Sequence, residues 1–399
     1  MGKNGKGGSA NRKMNMKQRV LTGNLVLSDK VVYGSVTVEE ERISRITEIE
    51  PQREDAEIIV PGFLDIHFHG TGPYGVLSFE DIAGVAAFEP QNGVTVFTPA
   101  MGACPRDMRV DFLRSCRRLA AERKSGCAVC AGSHLEGPWL DYEHRGGMGK
   151  DMLAVPDEES LDEVLKEAAG TLKLVTLAPD VPNGLAAVKK LSAAGVVVSI
   201  GHSGATPEEF TAAVEAGLSH VCHLFDAYDP RPVEEGVTRY CLSDACLMDD
   251  RVTVELICDG FHVPPELVKL ACRLAGIDRI VAITDSMQGT GLPNGTYRQE
   301  DGTYYYLDND SVCRSLEEDV GIVGSCLPMK RAFTNLVNRW GFSLVDAVKM
   351  TSANPARVIG VDKETAALRE GFFADINILA PGTCELRECI VRGESCFCS

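Results

Sequence analysis

The chain has no run approaching the ~18–20 consecutive apolar residues that a membrane span requires. Basic residues are in deficit too: 40 Lys and Arg stand against 57 Asp and Glu, a formal net charge of −17. That balance argues against nucleic acid, whose phosphates attract basic surfaces; an acidic excess names no partner of its own and mainly favours solubility. Met1 to Lys17, rich in Gly, Asn, Lys and Met, lacks the apolar segment that follows the basic start of a secretory signal. It reads as a disordered leader, and the chain as cytoplasmic. A disulfide framework is missing as well, since the 15 cysteines are scattered along a chain without such a signal, which fits free thiols in a reducing compartment. Cys127 and Cys130 form a C-x-x-C, but no second pair stands at zinc-site spacing. Their run, Cys127 to Ala131, reads as a buried strand carrying ordinary core cysteines.

What is present is a chain of 399 residues, 44% apolar and 24% charged, able to bury a large core and suited to a barrel with a small appended domain. Asn24–Leu27, Gly34–Val38 and Arg42–Ile46 alternate as short strands. Asp375–Leu379 and Cys389–Arg392 have the same character and are expected to return and pair with them. Between these ends apolar runs alternate with amphipathic stretches. The runs are Gly93–Phe97, Cys127–Leu135, Leu172–Ala178, Val196–Gly201, His220–Leu224, Val252–Ile257 and Arg279–Thr284. The helical stretches are Arg106–Lys124, Asp157–Ala169, Leu185–Ala194, Pro207–Ala216 and Pro265–Ala275. Repeated βα units predict a doubly wound sheet or a closed barrel; a first strand ending at Ile66 makes eight, although the pattern does not itself show closure. From Gly295 to about Gly324 the alternation stops, and an acidic tract marks a surface excursion of the kind that lies over active sites or is disordered.

All eight histidines fall between positions 67 and 262, most of them just after an expected strand, where a parallel barrel carries its reactive groups. His67 and His69 are two apart on extended chain, so both rings can face one metal ion. Glu136 closes the run that contains His134. His202 and His223 end two further runs, and Asp285 ends the last. Each has a plain reading: a strand-end His satisfied by backbone, a surface Glu, an Asp in a turn or helix cap. Their recurrence on successive strands favours a metal centre of imidazole and carboxylate. In such a centre Asp285 is the candidate to take a proton from water and deliver it to a leaving amine.

Read in order, Pro61-Gly62-Phe63-Leu64-Asp65-Ile66-His67-Phe68-His69-Gly70, His134-Leu135-Glu136-Gly137-Pro138, Gly201-His202-Ser203, His223-Leu224-Phe225, Asp259-Gly260-Phe261-His262, Thr284-Asp285, Val323-Gly324-Ser325 and Ser352-Ala353-Asn354-Pro355-Ala356 resemble the N-acetylglucosamine-6-phosphate deacetylase family of the amidohydrolase superfamily. The resemblance runs from about residue 20 to the end. It implies a (β/α)₈ TIM-type barrel over 61–359 and a small β-sandwich domain built from both chain ends, 18–60 plus 360–399, behind the 1–17 leader. It implies one divalent ion, zinc or iron, held by Glu136, His202 and His223, with His67 and His69 as the pair for a second ion. It further implies Asp285 as catalytic acid and base, His262 as a substrate contact near the scissile amide, and a homodimer acting on a small N-acetylated molecule; composition and charge add the expectation of no nucleic acid or membrane partner.

Three positions depart from the family pattern, all on the substrate side. Asp226-Ala227-Tyr228 replaces Asn-Ala-Met beside the sugar phosphate. Glu234 falls where an Arg normally reaches that phosphate, with Arg231 close by. Gly146-Gly147-Met148 replaces a Gly-Ala-His substrate contact, with His144 near but displaced. An acidic group beside a dianion repels it, and a lost Arg removes a bidentate donor. The resemblance implies hydrolysis of the acetamide of N-acetylglucosamine 6-phosphate, and these departures bear on the substrate while leaving the reaction class untouched. The alternatives are N-acetylgalactosamine 6-phosphate, a non-phosphorylated N-acyl substrate, or a barrel that binds metal without catalysis. Retention of Asp285 with every presumed ligand speaks against the last.

Overall fold

The computed structural model describes residues 18–298, 302–309, 312–317 and 321–399; the leader lies outside them. Eight parallel strands form the centre of the chain: β1 Phe63–Asp65, β2 Val94–Phe97, β3 Ser133–Glu136, β4 Leu172–Leu177, β5 Val197–Ile200, β6 His220–Val221, β7 Thr253–Ile257 and β8 Ile280–Ile283. Neighbours pair in sequence order, for example Phe63 with Val94, Leu174 with His134, and Val254 with Ile280. Two short pieces, Ala100–Met101 and Val129–Cys130, complete the contacts between β2 and β3. Closure comes from backbone bonds just past the strand ends. Asp285 N–H donates to the His67 carbonyl at 2.9 Å, and His69 N–H to the Ser286 carbonyl at 2.7 Å. The sheet is thus a closed TIM-type barrel.

The side chains follow the period-two rule of extended chain. Leu64, Val96, Leu174, Ile257, Val281 and Ile283 fill the barrel interior as one apolar cluster. Their alternates Phe63, Phe97, Val175, Val254, Leu256 and Ile280 face the surrounding helices. The helices begin where polar caps permit. Asp157 and Ser160 form a reciprocal capping box ahead of Glu158–Ala168, and Thr206 and Glu209 do the same for Pro207–Glu215, whose first residue is proline. The expected run Cys127–Leu135 is broken: Gly132 has φ +149, and its missing side chain allows the Thr171 carbonyl to approach where a Cβ would stand 2.1 Å away. Cys127 is half-buried and Cys130 buried, and all fifteen cysteines are free thiols.

The chain ends build one seven-stranded sheet, in the order Glu394–Cys398, Leu386–Val391, Ile376–Leu379, Ile58–Pro61, Gln18–Val26, Val31–Glu39, Arg42–Pro51. It curls on itself. Ile43 at one edge donates its N–H to the Phe372 carbonyl beside the other half, and Val36, Val38 and Ile43 share a core with Ile376 and Ile390. The excursion folds into a three-stranded antiparallel sheet, Gly295–Arg298, Tyr304–Leu307 and Cys313–Ser315. Its buried Tyr305, Leu307 and Cys313 pack on Met287, Val323 and Cys326. It lies against the carboxyl end of β8, on the face where the histidines gather. Among the described residues no helix is long and apolar enough to cross a membrane.

Leu174 is fully buried in the barrel interior. Leu174→Ala is expected to lower stability by about 2–5 kcal/mol, the usual range for a truncated core leucine, measurable by urea titration followed by circular dichroism. A loss below about 1 kcal/mol would mean that the barrel collapses onto the gap.

Candidate active site

Five strands, β1, β3, β5, β6 and β8, deliver side chains at or just past their ends to one point. His134 and Glu136 of β3 alternate into the barrel, and Glu136 is nearly inaccessible. Its Oε1 lies 3.0 Å from His202 Nε2, 2.9 Å from His223 Nε2 and 3.4 Å from His67 Nε2. The two ring nitrogens of His202 and His223 are themselves 3.1 Å apart. On the other carboxylate oxygen, Oε2, His69 Nε2 stands at 3.1 Å, and the same nitrogen is 3.3 Å from Asp285 Oδ1. Burial opposes ionisation of Glu136, but the attraction of His67 and the bonds from His202 and His223 outweigh it, holding the carboxyl well below its ordinary range. For Asp285 burial is likewise outweighed by the bond from His69 and the attraction of His67 and His69, so this group also sits below its ordinary value.

The chain turns sharply to make this convergence. His202 and Asp285, each just beyond its strand, adopt φ of +50 and +49, and Phe225 and Ala227 follow at +79 and +55. Left-handed backbone at non-glycine residues costs on the order of 1–3 kcal/mol each and clusters at functional sites. Here it tips the ring of His202 and the carboxylate of Asp285 over the barrel mouth.

The donors fit a divalent ion. Glu136 Oε1 and the two nitrogens of His202 and His223 form a triangle with edges of 2.9, 3.0 and 3.1 Å. Two imidazole nitrogens so close to each other and to one oxygen have lone pairs for which a cation is the natural shared partner. His67 Nε2 is buried with no hydrogen-bond partner. His67, Glu136, Cys222 and His223 form one compact donor group, and His67, His69 and Asp285 another. Imidazole with carboxylate is the donor chemistry of zinc and iron.

A second layer holds these ligands, and sequence reasoning missed it. Glu255, on β7, is completely buried; its Oε2 is 2.9 Å from His67 Nδ1 and its Oε1 is 2.9 Å from His220 Nε2. It also accepts the His223 N–H at 3.3 Å. By pairing with Nδ1, Glu255 turns Nε2 of His67 toward the centre, the arrangement by which an outer carboxylate orients a metal-binding ring. Burial opposes its charge, and the attraction of His67 and His220 outweighs this, so its carboxyl is held well below the ordinary range. His134 Nε2 pairs with Thr176 Oγ1 at 2.9 Å, and burial lowers this ring to about 3, which keeps it neutral. Asp65 accepts from Thr284 Oγ1 at 2.6 Å; burial raises its carboxyl to about 8. A signal for Glu255 was available: a carboxylate inside the apolar run Val252–Ile257 has to be paired if the strand is buried.

A cavity of about 430 Å³ opens above the centre. Of the expected substrate residues, Met148, Asp226 and Ala227 line it. His144 does as well, held by Asp141 at 2.5 Å and Asp229 at 3.1 Å, and its carbonyl lies 2.9 Å from His202 Nδ1. Ile322, Val323 and Gly324, at the end of the excursion, form another part of the wall. Arg231 is outside it, half-exposed and paired with Asp244 at 2.5 Å, and Glu234 pairs on the surface with Arg239 at 3.1 Å. His262 Nδ1 is bonded to Asp259 at 2.6 Å, while its Nε2 is buried without a partner.

A barrel whose strand ends converge imidazoles and carboxylates on one point is the scaffold of a metal-assisted hydrolase. The chain belongs to the amidohydrolase family, whose model matches residues 58–395. Within that family it stands with the N-acetylglucosamine-6-phosphate deacetylases. It is 31% identical over 327 residues to the N-acetylglucosamine-6-phosphate deacetylase of Lysinibacillus sphaericus, covering 81% of each chain. It is also 31% identical over 337 residues to the N-acetylgalactosamine-6-phosphate deacetylase of Escherichia coli O157:H7, covering 82% of this chain and 85% of that one. Among solved structures it is similar to a mutant N-acetyl-D-glucosamine-6-phosphate deacetylase from Mycobacterium smegmatis in complex with N-acetyl-D-glucosamine-6-phosphate. There the TM-score is 0.86 at 28% identity, over 95% of this chain and 99% of that one.

Glu255→Ala removes the acceptor for two buried imidazoles, and breaking such a buried pair costs about 3–5 kcal/mol. A thermal melt of the variant should fall well below that of the native protein, and Glu255→Gln should recover part of the difference. A melt unchanged in both would show that His67 and His220 find other partners.

Proposed function

We propose that the chain is a metal-dependent deacetylase that hydrolyses the acetamide of an N-acetyl amino sugar 6-phosphate, N-acetylglucosamine 6-phosphate in the first place, to the free amine and acetate. The observation that carries this reading is the triangle of Glu136, His202 and His223 with Asp285 beside it. Glu136, His202 and His223 hold the ion, zinc or iron, and His67 and His69 are donors for a second. The ion supplies a Lewis acid that makes water a better nucleophile at neutral pH and polarises the amide carbonyl.

The other roles belong to side chains. Asp285 is ionised at neutral pH because His69 and His67 outweigh its burial, so it takes the proton of the attacking water first. It then returns that proton to the departing nitrogen, which would otherwise leave as an unstable amide anion. His262, fixed through Nδ1 by Asp259, keeps Nε2 for the substrate. Met148, Asp226 and Ala227 border the sugar. A homodimer, with 226–236 close to the partner's cavity, agrees with the exposed Val233, Val237 and Tyr240 on and beside the short hairpin that follows; a monomeric mass at assay concentration in light scattering would contradict it.

One observation favours a second reading, a non-phosphorylated N-acyl substrate. Glu136, Glu143, Asp226 and Asp285 line the cavity, and among the described lining residues there is no Lys or Arg. A dianion would then depend on Arg231 leaving Asp244, or on a residue of a second copy. Acetate release from N-acetylglucosamine, its 6-phosphate and N-acetylgalactosamine 6-phosphate separates the readings. Preference for the 6-phosphate, with Arg231→Ala raising KM sharply, supports the first. Preference for the neutral sugar, with Asp226→Asn improving use of the 6-phosphate alone, supports the second.

For the chemistry itself, His202→Ala and His223→Ala are expected to strip the metal and abolish acetate release. Asp285→Asn should keep the metal and lose ~10²–10⁴-fold or more in turnover. Full metal occupancy in a His202/His223 double variant, or near-native turnover in Asp285→Asn, would sink the respective assignment.

A further inference from the structure

Cys222 is used by none of the roles above, yet it lies under the centre. His220 on β6 faces the barrel interior, and so does Cys222 two positions on, just past the strand end; Val221 between them packs outward among the helices. Cys222 Sγ is 3.7 Å from Glu136 Oε1 and 3.6 Å from His67 Nδ1, and the side chain is fully buried. Its backbone is pinned on both sides: its N–H donates to the Ile200 carbonyl at 2.9 Å, and its carbonyl accepts from Tyr228 Oη at 2.8 Å. Gly201 on the neighbouring strand makes the space, since a Cβ there would stand 2.6 Å from Cys222 Cβ. An independent observation points to a ligand in the same place: His67 Nε2 is completely buried and has no hydrogen-bond partner, and it lies 3.4 Å from Glu136 Oε1.

We propose that Cys222 is a thiolate ligand of the metal centre, completing a donor set of His67, Glu136, Cys222 and His223 that adjoins the His202 side through the shared Glu136. This rests on the reading of Glu136 and His223 as ion ligands. Donors at about 2.0–2.3 Å from a tetrahedral ion stand roughly 3.3–3.7 Å from one another. The separations from Glu136 Oε1 to Cys222 Sγ and to His67 Nε2, 3.7 and 3.4 Å, match that spacing, while His223 Nε2, at 2.9 Å from the same oxygen, has to move outward by about half an ångström. All four ligand atoms lie within 4.8 Å of each other. Coordination replaces the S–H bond by an S–metal bond and releases the proton to solvent. A thiolate among imidazoles and a carboxylate biases the site toward thiophilic ions and away from hard ones such as magnesium or calcium. The competing arrangement is a thiol that only donates a hydrogen bond to Glu136, and a serine would preserve it.

The test uses the full-length protein stripped by a chelator and reloaded with cobalt(II) in stoichiometric steps. Native protein is expected to develop a near-ultraviolet thiolate-to-cobalt charge-transfer band as it fills. Cys222→Ser and Cys222→Ala should each lose that band at least five-fold while still binding cobalt, with affinity about ten-fold or more weaker, the scale on which ligand surroundings act. Two variants guard against one misfolding, and circular dichroism identifies a variant that has. Cobalt binding by native protein without the band overturns the proposal and leaves the Glu136–His202–His223 reading intact. A band that persists undiminished in both variants belongs to another cysteine and overturns it equally. Failure of the native protein to bind cobalt at all would remove the underlying reading and the proposal together.

Discussion

A buried carboxylate is the constraint on which the rest of this molecule turns. Glu136 sits at the carboxyl end of β3, almost without access to water, where an isolated charge is prohibitively costly. Three imidazoles within 3.4 Å of one of its oxygens and a fourth at 3.1 Å from the other remove that cost. Those imidazoles come from three different strand ends, so the barrel must close in one register for Glu136 to be neutralised. The backbone bonds that close it, from Asp285 to His67 and from His69 to Ser286, join the very residues that reach the centre. Fold and site therefore are not separable here: a slip of one residue in β1 or β8 would turn the ligands outward and leave the charge buried alone.

The same logic explains the polar layer below. His67 and His220 are inside an apolar barrel, and Glu255 satisfies both at 2.9 Å. Hydrogen bonds in such surroundings are strong and their loss is expensive, so a satisfied network rigidifies what it touches. Glu255 thus fixes the direction in which His67 presents Nε2, while Asp65 and Thr284 tie β1 to β8 just beneath Asp285. The mouth of the barrel is the contrary case. His202 and Asp285 hold left-handed backbone, and this strain is borne by the layer beneath it, where Glu255 pairs with His67 and His220 and Asp65 with Thr284.

Much of this was legible in the sequence, and the reason is periodicity. Apolar runs and capped amphipathic stretches gave the barrel units nearly to the residue, as in Pro265–Ala275, which is helical over those bounds. The exception, Cys127–Leu135, failed because hydropathy does not register a kink: Gly132 interrupts the strand without interrupting its apolar character. Short helices such as Leu242–Met248 were invisible because fewer than two turns cannot display a period. In the site, His67, His69, Glu136, His202, His223 and Asp285 were identified because they follow strands and repeat. Glu255 was passed over because it lies within a strand, where a polar residue reads as an interruption and its partner His67 is two strands away; Cys222, just past the end of β6, was passed over because a cysteine in an apolar run reads as core. The outer residues of the cavity were the least legible. Arg231 and Glu234 stand on a segment whose direction depends on Tyr228 and the positive φ of Phe225 and Ala227, and no pattern in the chain specifies that course.

The cavity finally sets two requirements against each other. Binding an ion calls for negative charge, and Glu136, Asp285 and their neighbours supply it; binding a phosphate calls for positive charge at the other end of the same pocket. Within one enclosed cavity the two demands interact, because charges so placed are poorly screened. A divalent ion changes the balance, since it offsets two of the four carboxylates that line the cavity and leaves Asp226 as the acid nearest the expected phosphate end. If Asp226 borders the substrate as proposed, its charge acts on substrate choice only once the ion is in place. On the proposed reading, specificity is accordingly a property of the filled centre and of whatever cation approaches Asp226. The lining side chains alone do not set it.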